Sequence, residues 1–238
     1  MSRATKAAAP AKTAAASQGG AGEVRIIGGQ WKRTRLAVAS NQPGLRPTPA
    51  RVRETLFNWL GQNLAGWRCI DAFAGTGALG YEAASRGAAS VLLCEQNSAL
   101  VVQMQKMASR LQAASVRVQR CDGVAALRNA APGQVDLVLL DPPFDSSLLA
   151  PALRAAAHAV ADGGYIYLEA PTAWTDALLA ELLAEPVGAR GILAVERTLR
   201  AGAVYAHLLH RLPLTASTAV GTLSGAMQPP LSAAPVSP

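Results

Sequence analysis

Asp71-Ala72-Phe73-Ala74-Gly75-Thr76-Gly77-Ala78-Leu79-Gly80 decides the reading of this chain. The apolar pair Cys69-Ile70 before it predicts a strand, and Ala78–Ser85 at its end predicts a helix. Glycines at such a junction permit a tight turn and let a ligand come close to the backbone. Gly75–Gly80 has GxGxxG spacing, and Glu95 closes the next apolar run, Val91–Cys94, where a carboxylate can accept from both ribose hydroxyls. These features fit a dinucleotide or S-adenosylmethionine almost equally. Asp71 shifts the balance, because a carboxylate beside the glycine loop repels a pyrophosphate but favours an ammonium and a sulfonium.

Outward from this loop the pattern alternates. Further apolar runs at Val116–Val118, Val135–Leu140 and Tyr165–Leu168 predict strands. Ser98–Leu111, Gly123–Asn129, Ser146–Val160 and Trp174–Leu183 predict the helices between and after them. Repeated strand–helix units imply a parallel sheet covered on both faces. Ile192–Leu199 and Val204–Leu212, separated by Ala201-Gly202, predict an antiparallel hairpin closing one sheet edge. Upstream, Val24–Ile27 and Leu36–Val38 flank Gly28-Gly29 as a small hairpin. Pro49–Leu60 predicts a helix with Val52, Leu56, Phe57 and Leu60 on one face.

The second chemical motif, Asp141-Pro142-Pro143-Phe144, follows the strand Val135–Leu140. Ligands of open parallel sheets bind at the carboxyl ends of strands, so it should share a crevice with the glycine loop. Two prolines give a stiff backbone without N–H donors, so the Asp141 carboxylate and the Pro142 carbonyl present acceptors only. That suits an amino group on a nucleobase, whose lone pair is delocalised and whose two hydrogens need acceptors to orient them. Phe144 offers a stacking face for a base drawn into the pocket. Asp122, after the third core strand, is expected either beside the adenine of the cofactor or as a helix N-cap.

Composition sets limits on this reading. The chain has 238 residues, 50% hydrophobic but only 5% aromatic, so its core is mostly aliphatic. The net charge of +7 is not evenly spread. Residues 1–22 carry Arg3, Lys6 and Lys12 and no acid; residues 23–68 carry eight basic and two acidic side chains; residues 69–212 carry eleven and thirteen. The excess lies in the N-terminal third, which favours a polyanionic partner there. Cys69, Cys94 and Cys121 form no CxxC pair or metal spacing and read as buried structural thiols. Neither Cys94 nor Cys121 precedes a loop typical of a carbon-methylating nucleophile. Residues 1–22 and 213–238 are low-complexity and expected to be disordered tails. An acid-free start also occurs in organellar transit peptides, but the amphipathic Arg pattern of such peptides is missing. The Pro-, Ser- and Gly-broken C-terminus is no membrane span.

With these residues in view the chain resembles a known family. Asp71–Gly80 and Asp141–Phe144 resemble the Rossmann-like methyltransferases of base amino groups. Val24-Arg25-Ile26-Ile27-Gly28-Gly29-Gln30-Trp31, Gly44-Leu45-Arg46-Pro47-Thr48 and Arg51–Leu60 resemble the bacterial RsmD family, which methylates guanine N2 in 16S rRNA. The resemblance runs from about Val24 to Leu212. It implies an α/β, Rossmann-like, S-adenosylmethionine-dependent methyltransferase domain over 23–212. A basic extension at 23–68, hairpin and helix, would precede a core at 69–212 with a mostly parallel sheet and a C-terminal antiparallel hairpin. It further implies that Asp71, Phe73, Gly75, Thr76, Gly77 and Glu95 hold S-adenosylmethionine, with Asp122 near its adenine and Arg46 and Thr48 over the cofactor or the rRNA. Asp141, Pro142, Pro143 and Phe144 would hold the guanine. Arg25, Lys32, Arg33, Arg35, Arg51 and Arg53 would meet RNA phosphates. The expected partner is 16S rRNA within the small ribosomal subunit, for a cytoplasmic monomer that needs no metal and no membrane. Asn97 stands where relatives often carry an acid, and the uncharged C-terminal tail is unfamiliar. The alternatives are a DNA adenine-N6 or cytosine-N4 methyltransferase, an NAD-dependent oxidoreductase, and an RNA-binding assembly factor without catalysis.

Overall fold

The computed structural model describes residues 23–37, 47–144, 147–184 and 192–213. The tails expected at 1–22 and 213–238, apart from Pro213, lie outside these residues, as does Arg46.

The chain begins with an antiparallel hairpin, β1 (Glu23–Arg25) and β2 (Arg35–Ala37), followed by α1 (Ala50–Trp59). The core then alternates: β3 (Arg68–Asp71), α2 (Ala78–Ser85), β4 (Ser90–Glu95), α3 (Ser98–Leu111), β5 (Val116–Arg120) and α4 (Gly123–Asn129). It continues with β6 (Val135–Leu140), α5 (Leu149–Ala159), β7 (Val160–Ala170), α6 (Asp176–Leu183), β8 (Ile192–Ala201) and β9 (Val204–Leu212). Seven strands form one sheet in the order β5-β4-β3-β6-β7-β9-β8. Strands β3 to β7 run parallel, and β9 inserts antiparallel between β7 and β8.

The apolar strands alternate faces, as period-two geometry requires. Val91 and Leu93 of β4, Leu137 and Leu139 of β6 and Tyr167 of β7 pack into one core layer with Leu56 and Phe57 of α1, Leu79 and Tyr81 of α2 and Met104 of α3. Cys94, Val138, Leu140, Ile166 and Leu168 pack on the opposite face with Val124 and Leu127 of α4, Leu153 of α5 and Leu179 of α6. The order reverses between β3 and β6: the chain first builds β4 and β5 on one side of β3, then β6 and β7 on the other. That reversal is where an open parallel sheet leaves a crevice at its carboxyl edge.

Several boundaries differ from expectation. The helix expected from Trp174 starts at Asp176, because the Thr175 side chain caps it by accepting from the Leu178 N–H at 3.3 Å. Strand β7 is longer than Tyr165–Leu168, starting at Val160, which pairs with Val135; pairing resumes at Tyr165 after a bulge that holds Gly163 at φ +79°. The helix expected over Ser146–Val160 spans Leu149–Ala159, and Ser146 lies outside the described residues. No helix among the described residues is long and apolar enough to cross a membrane.

The N-terminal hairpin is fastened to α2 through Glu82, whose side chain is fully buried. Its oxygens accept from the Ile27 N–H at 2.8 Å and the Gly28 N–H at 2.7 Å, and pair with Arg53 at 3.4 Å and Arg86 at 2.8 Å. Ser85 adds a second fastening, donating to the Gly28 carbonyl at 2.6 Å and accepting from the Trp31 N–H at 2.9 Å. Gly29 has φ +73°, and a Cβ there would lie 1.8 Å from the Ser85 carbonyl oxygen, so only glycine lets the hairpin sit this close.

Candidate active site

Asp71 is the last residue of β3, Glu95 the last of β4, Asp141 follows β6 and Glu169 is the penultimate residue of β7. Strand alternation puts each on the sheet face shared by Cys69, Leu93, Leu139 and Tyr167, beneath the N-terminal extension. Together they wall a cavity of about 770 Å³, with Phe73, Gly75, Thr76 and the Pro142-Pro143-Phe144 segment.

The glycine loop is held by these same carboxylates. Glu95 accepts from the Gly75 N–H at 2.9 Å and the Asn97 N–H at 2.8 Å. Asp71 accepts from the Gly80 N–H at 3.1 Å, fixing the first turn of α2 to the strand end. Gly77 enters α2 at φ +77°, and a Cβ there would meet the Tyr81 ring at 2.8 Å, so this sharp entry needs glycine. Burial pushes the Asp71 carboxyl up to about 7, against the pull of its backbone bonds to Gly80 and Phe73; the nearby Glu95 charge adds to the rise.

Asp141 is part-buried at the wall, and Pro142 is buried while Pro143 and Phe144 are exposed. Burial, the Glu169 charge and Asp71 raise the Asp141 carboxyl well above the ordinary range. Glu169, only 6% exposed, is raised by burial too, but the Tyr167 and Thr48 hydroxyls oppose that rise by donating to Oε1 at 2.8 Å each. The pair is hard to ionise twice without a cation present, and Glu169, held by two donors, is the member that keeps its charge.

Several expected residues meet here: Asp71, Phe73, Gly75, Thr76, Glu95, Thr48, Asp141, Pro142, Pro143 and Phe144 all line the cavity. Gly77 does not line it but sets the turn. Asp122 stands at the cavity's edge: it is exposed, its Oδ1 caps α4 by accepting from Val124 and Ala125, and its neighbours Cys121 and Gly123 form the wall. The expected N-cap is observed. Arg53 is corrected outright. Expected at RNA, it is 2% exposed, donating to the Thr48 and Arg25 carbonyls and pairing with Glu82, so its guanidinium is consumed inside the fold. Arg25, Lys32, Arg33, Arg35 and Arg51 are exposed. The three cysteines are free thiols, but only Cys69 and Cys94 are buried; Cys121 is half-buried on the cavity wall, a correction to the expectation of three buried thiols.

Glu169 escaped the sequence reading. Its signal was present, an acid directly after the apolar run Tyr165–Leu168, the same placement that marked Asp71, Glu95 and Asp141.

Among the described residues the cavity wall holds four carboxylates and no Lys, Arg or His. A pyrophosphate would meet only repulsion there, whereas the ammonium and sulfonium of S-adenosylmethionine would each find a counter-charge. Fold and cleft together define a Rossmann-like S-adenosylmethionine-dependent methyltransferase. A family model described as "Conserved hypothetical protein 95" matches residues 24–184. Ribosomal RNA small subunit methyltransferase D of Escherichia coli strain K12 is 42% identical over 152 residues, 63% of this chain and 76% of the relative. The protein of the same name from Haemophilus influenzae is 40% identical over 137 residues, 56% and 69% of the two chains. The solved structure of Escherichia coli yhhF superposes with a TM-score of 0.66 at 37% identity, covering 81% of this chain and 99% of that one. The chain belongs to the ribosomal RNA small subunit methyltransferase D (RsmD) family.

Proposed function

We propose that this chain transfers a methyl group from S-adenosylmethionine to the exocyclic N2 of a guanine in 16S rRNA, within the assembled small subunit, working as a cytoplasmic monomer. The observation that carries this reading is the four-carboxylate cavity, with no Lys, Arg or His among the described residues of its wall, opening beside Asp141-Pro142-Pro143-Phe144. The domain is read as 23–212, with a basic extension that contacts RNA ahead of the core.

S-adenosylmethionine supplies an electrophilic methyl group on a sulfonium, and the electron pair of the broken C–S bond stays with sulfur. The protein's part is positioning. Asp71 and Glu95 shape the glycine loop; Asp71 supplies negative charge for the ligand's cations, and Glu95 supplies an acceptor for its ribose hydroxyls. Phe144, 43% exposed at the cavity mouth, gives the extruded base an apolar stacking face. Asp141 and the Pro142 carbonyl accept the two N2 hydrogens, aim the nitrogen and stabilise the charge that develops on it. The N2 proton leaves to Asp141 or to water. An Asp141→Ala protein should lose turnover by a factor on the order of 100 or more. Near-normal turnover would sink the assignment.

The test is methyl transfer from labelled S-adenosylmethionine to small ribosomal subunits from cells lacking this activity, with naked rRNA and duplex DNA alongside. N2-methylguanosine in the subunits supports the proposal. Label only in DNA would keep the methyltransferase and overturn the RNA substrate.

A further inference from the structure

Leu140 of β6 and Leu168 of β7 are register partners in a parallel pair. Asp141 and Glu169 are the next residues on each strand, so the two carboxylates leave adjacent strands side by side on one face, and both wall the cavity. Glu169 is not a loose surface acid. Its Oε1 accepts from Thr48 Oγ1 at 2.8 Å and from the Tyr167 hydroxyl at 2.8 Å. Two donors fill both lone pairs of a carboxylate oxygen. Oε1 is therefore saturated, and among the described residues no protein donor meets Oε2. Tyr167 is fully buried and Thr48 nearly so, which fixes the carboxylate's orientation.

A flipped base is read along its Watson–Crick edge. Asp141 and the Pro142 carbonyl already suffice for an amino group with two hydrogens, and adenine N6, cytosine N4 and guanine N2 all offer those. The bases differ at the adjacent ring nitrogen. Guanine N1 carries a hydrogen, whereas adenine N1 and cytosine N3 present a lone pair. A second, anchored carboxylate beside the first rewards the N–H and repels the lone pair.

Resting on the methyltransferase reading above, we propose that Glu169 is the residue that selects guanine, its Oε2 accepting the N1–H of the base while Asp141 and Pro142 hold N2. Thr48 and Tyr167 are positioning residues that aim this acceptor. A buried acceptor left facing a lone pair is strongly disfavoured, so sites built this way discriminate by large factors.

The test uses the full chain and small subunits reconstituted with 16S rRNA carrying either guanine or 2-aminopurine at the target position. 2-Aminopurine keeps the N2 amine but has an unprotonated N1. The wild-type protein should prefer guanine by about 100-fold or more in kcat/KM. Glu169→Gln keeps an oxygen for Thr48 and Tyr167 and turns an NH2 toward N1, so the preference should move toward 2-aminopurine by about 100-fold or more. Any change in cofactor affinity acts on both substrates alike and cancels in the ratio. Equal loss on both substrates, with the ratio unchanged, would overturn the selector role while leaving the methyltransferase reading intact. Should Glu169→Gln fail to fold, Tyr167→Phe removes one aiming hydroxyl and should reduce the guanine preference about tenfold; an unchanged preference there overturns the inference too. A wild-type protein that methylates no guanine in the subunit removes both readings together.

Discussion

Asp71 carries two duties that pull in opposite directions. Its backbone bond from Gly80 fixes the cofactor loop, while its burial makes the ionised form costly and lifts the carboxyl to about 7. A raised acid pKa means that the folded state holds a proton the unfolded chain releases near pH 4, so stability of the ligand-free protein falls as pH rises from about 4 to 7. Cation binding reverses this preference. S-adenosylmethionine affinity should therefore rise with pH, by up to about tenfold per unit, and level off above about 7. Calorimetric titration from about pH 5.5 to about pH 8 checks this. Asp71→Asn should remove its share of the slope and leave that of the Asp141–Glu169 pair. At Glu82 the balance is structural. Glu82→Ala would strand two buried guanidiniums, costing about 3–5 kcal/mol and lowering Tm by about 10 °C. A Tm within 2 °C of wild type (about 1 kcal/mol or less) would contradict that. Asp71, Glu95 and Asp141 were legible as sequence because each carboxylate directly after an apolar run adjoins a recognisable motif, which Glu169 lacks. Glu82 and Arg53 were not, since their partners come from segments whose approach only the tertiary fold reveals.

The elements divide the labour. The parallel strands present the carboxylates, α2 grips the loop at one end and the hairpin at the other, and the hairpin offers Arg25, Lys32, Arg33 and Arg35 to solvent. If these basic residues meet phosphates, replacing Lys32, Arg33 and Arg35 together by Ala should lower the slope of log Kd for small subunits against log salt by about 2, because each contact releases roughly one counterion. Cofactor affinity should not change. Filter binding over a salt series measures the first and calorimetry the second; an unchanged slope would remove the hairpin from the RNA interface. The helices Ala78–Ser85, Ser98–Leu111 and Gly123–Asn129 were readable to the residue. Asn97 and Asp122 cap two of them, and a glycine opens the third, so local chemistry fixed those starts. Strand β7 extends beyond Tyr165–Leu168 because Val160 also pairs with β6, and Gly163-Gly164, turn-like in sequence, lies in the bulge between Val160 and Tyr165.

At the scale of the molecule, charge is polarised between a basic extension and an acidic cleft. Bulk salt reaches the exposed basic face far more than the enclosed cleft. Raising salt should therefore depress kcat/KM for small subunits steeply while changing the Kd for S-adenosylmethionine little; parallel loss of both would show that the two charge fields are not separate. The mostly parallel sheet and the position of the crevice followed from the alternation of strand and helix patterns. The docking of the extension did not, because a buried Glu–Arg cluster leaves no periodic trace in sequence. That cluster also bears on ancestry. An appendage joined by a flexible tether can be exchanged between related enzymes, keeping the catalytic engine and replacing the guide. Here the extension's Arg53 neutralises a charge inside the core, and the core's Ser85 leaves room only for Gly29. Neither half is a transplantable cassette, so a lineage that changed its RNA target would have had to rewrite both halves together.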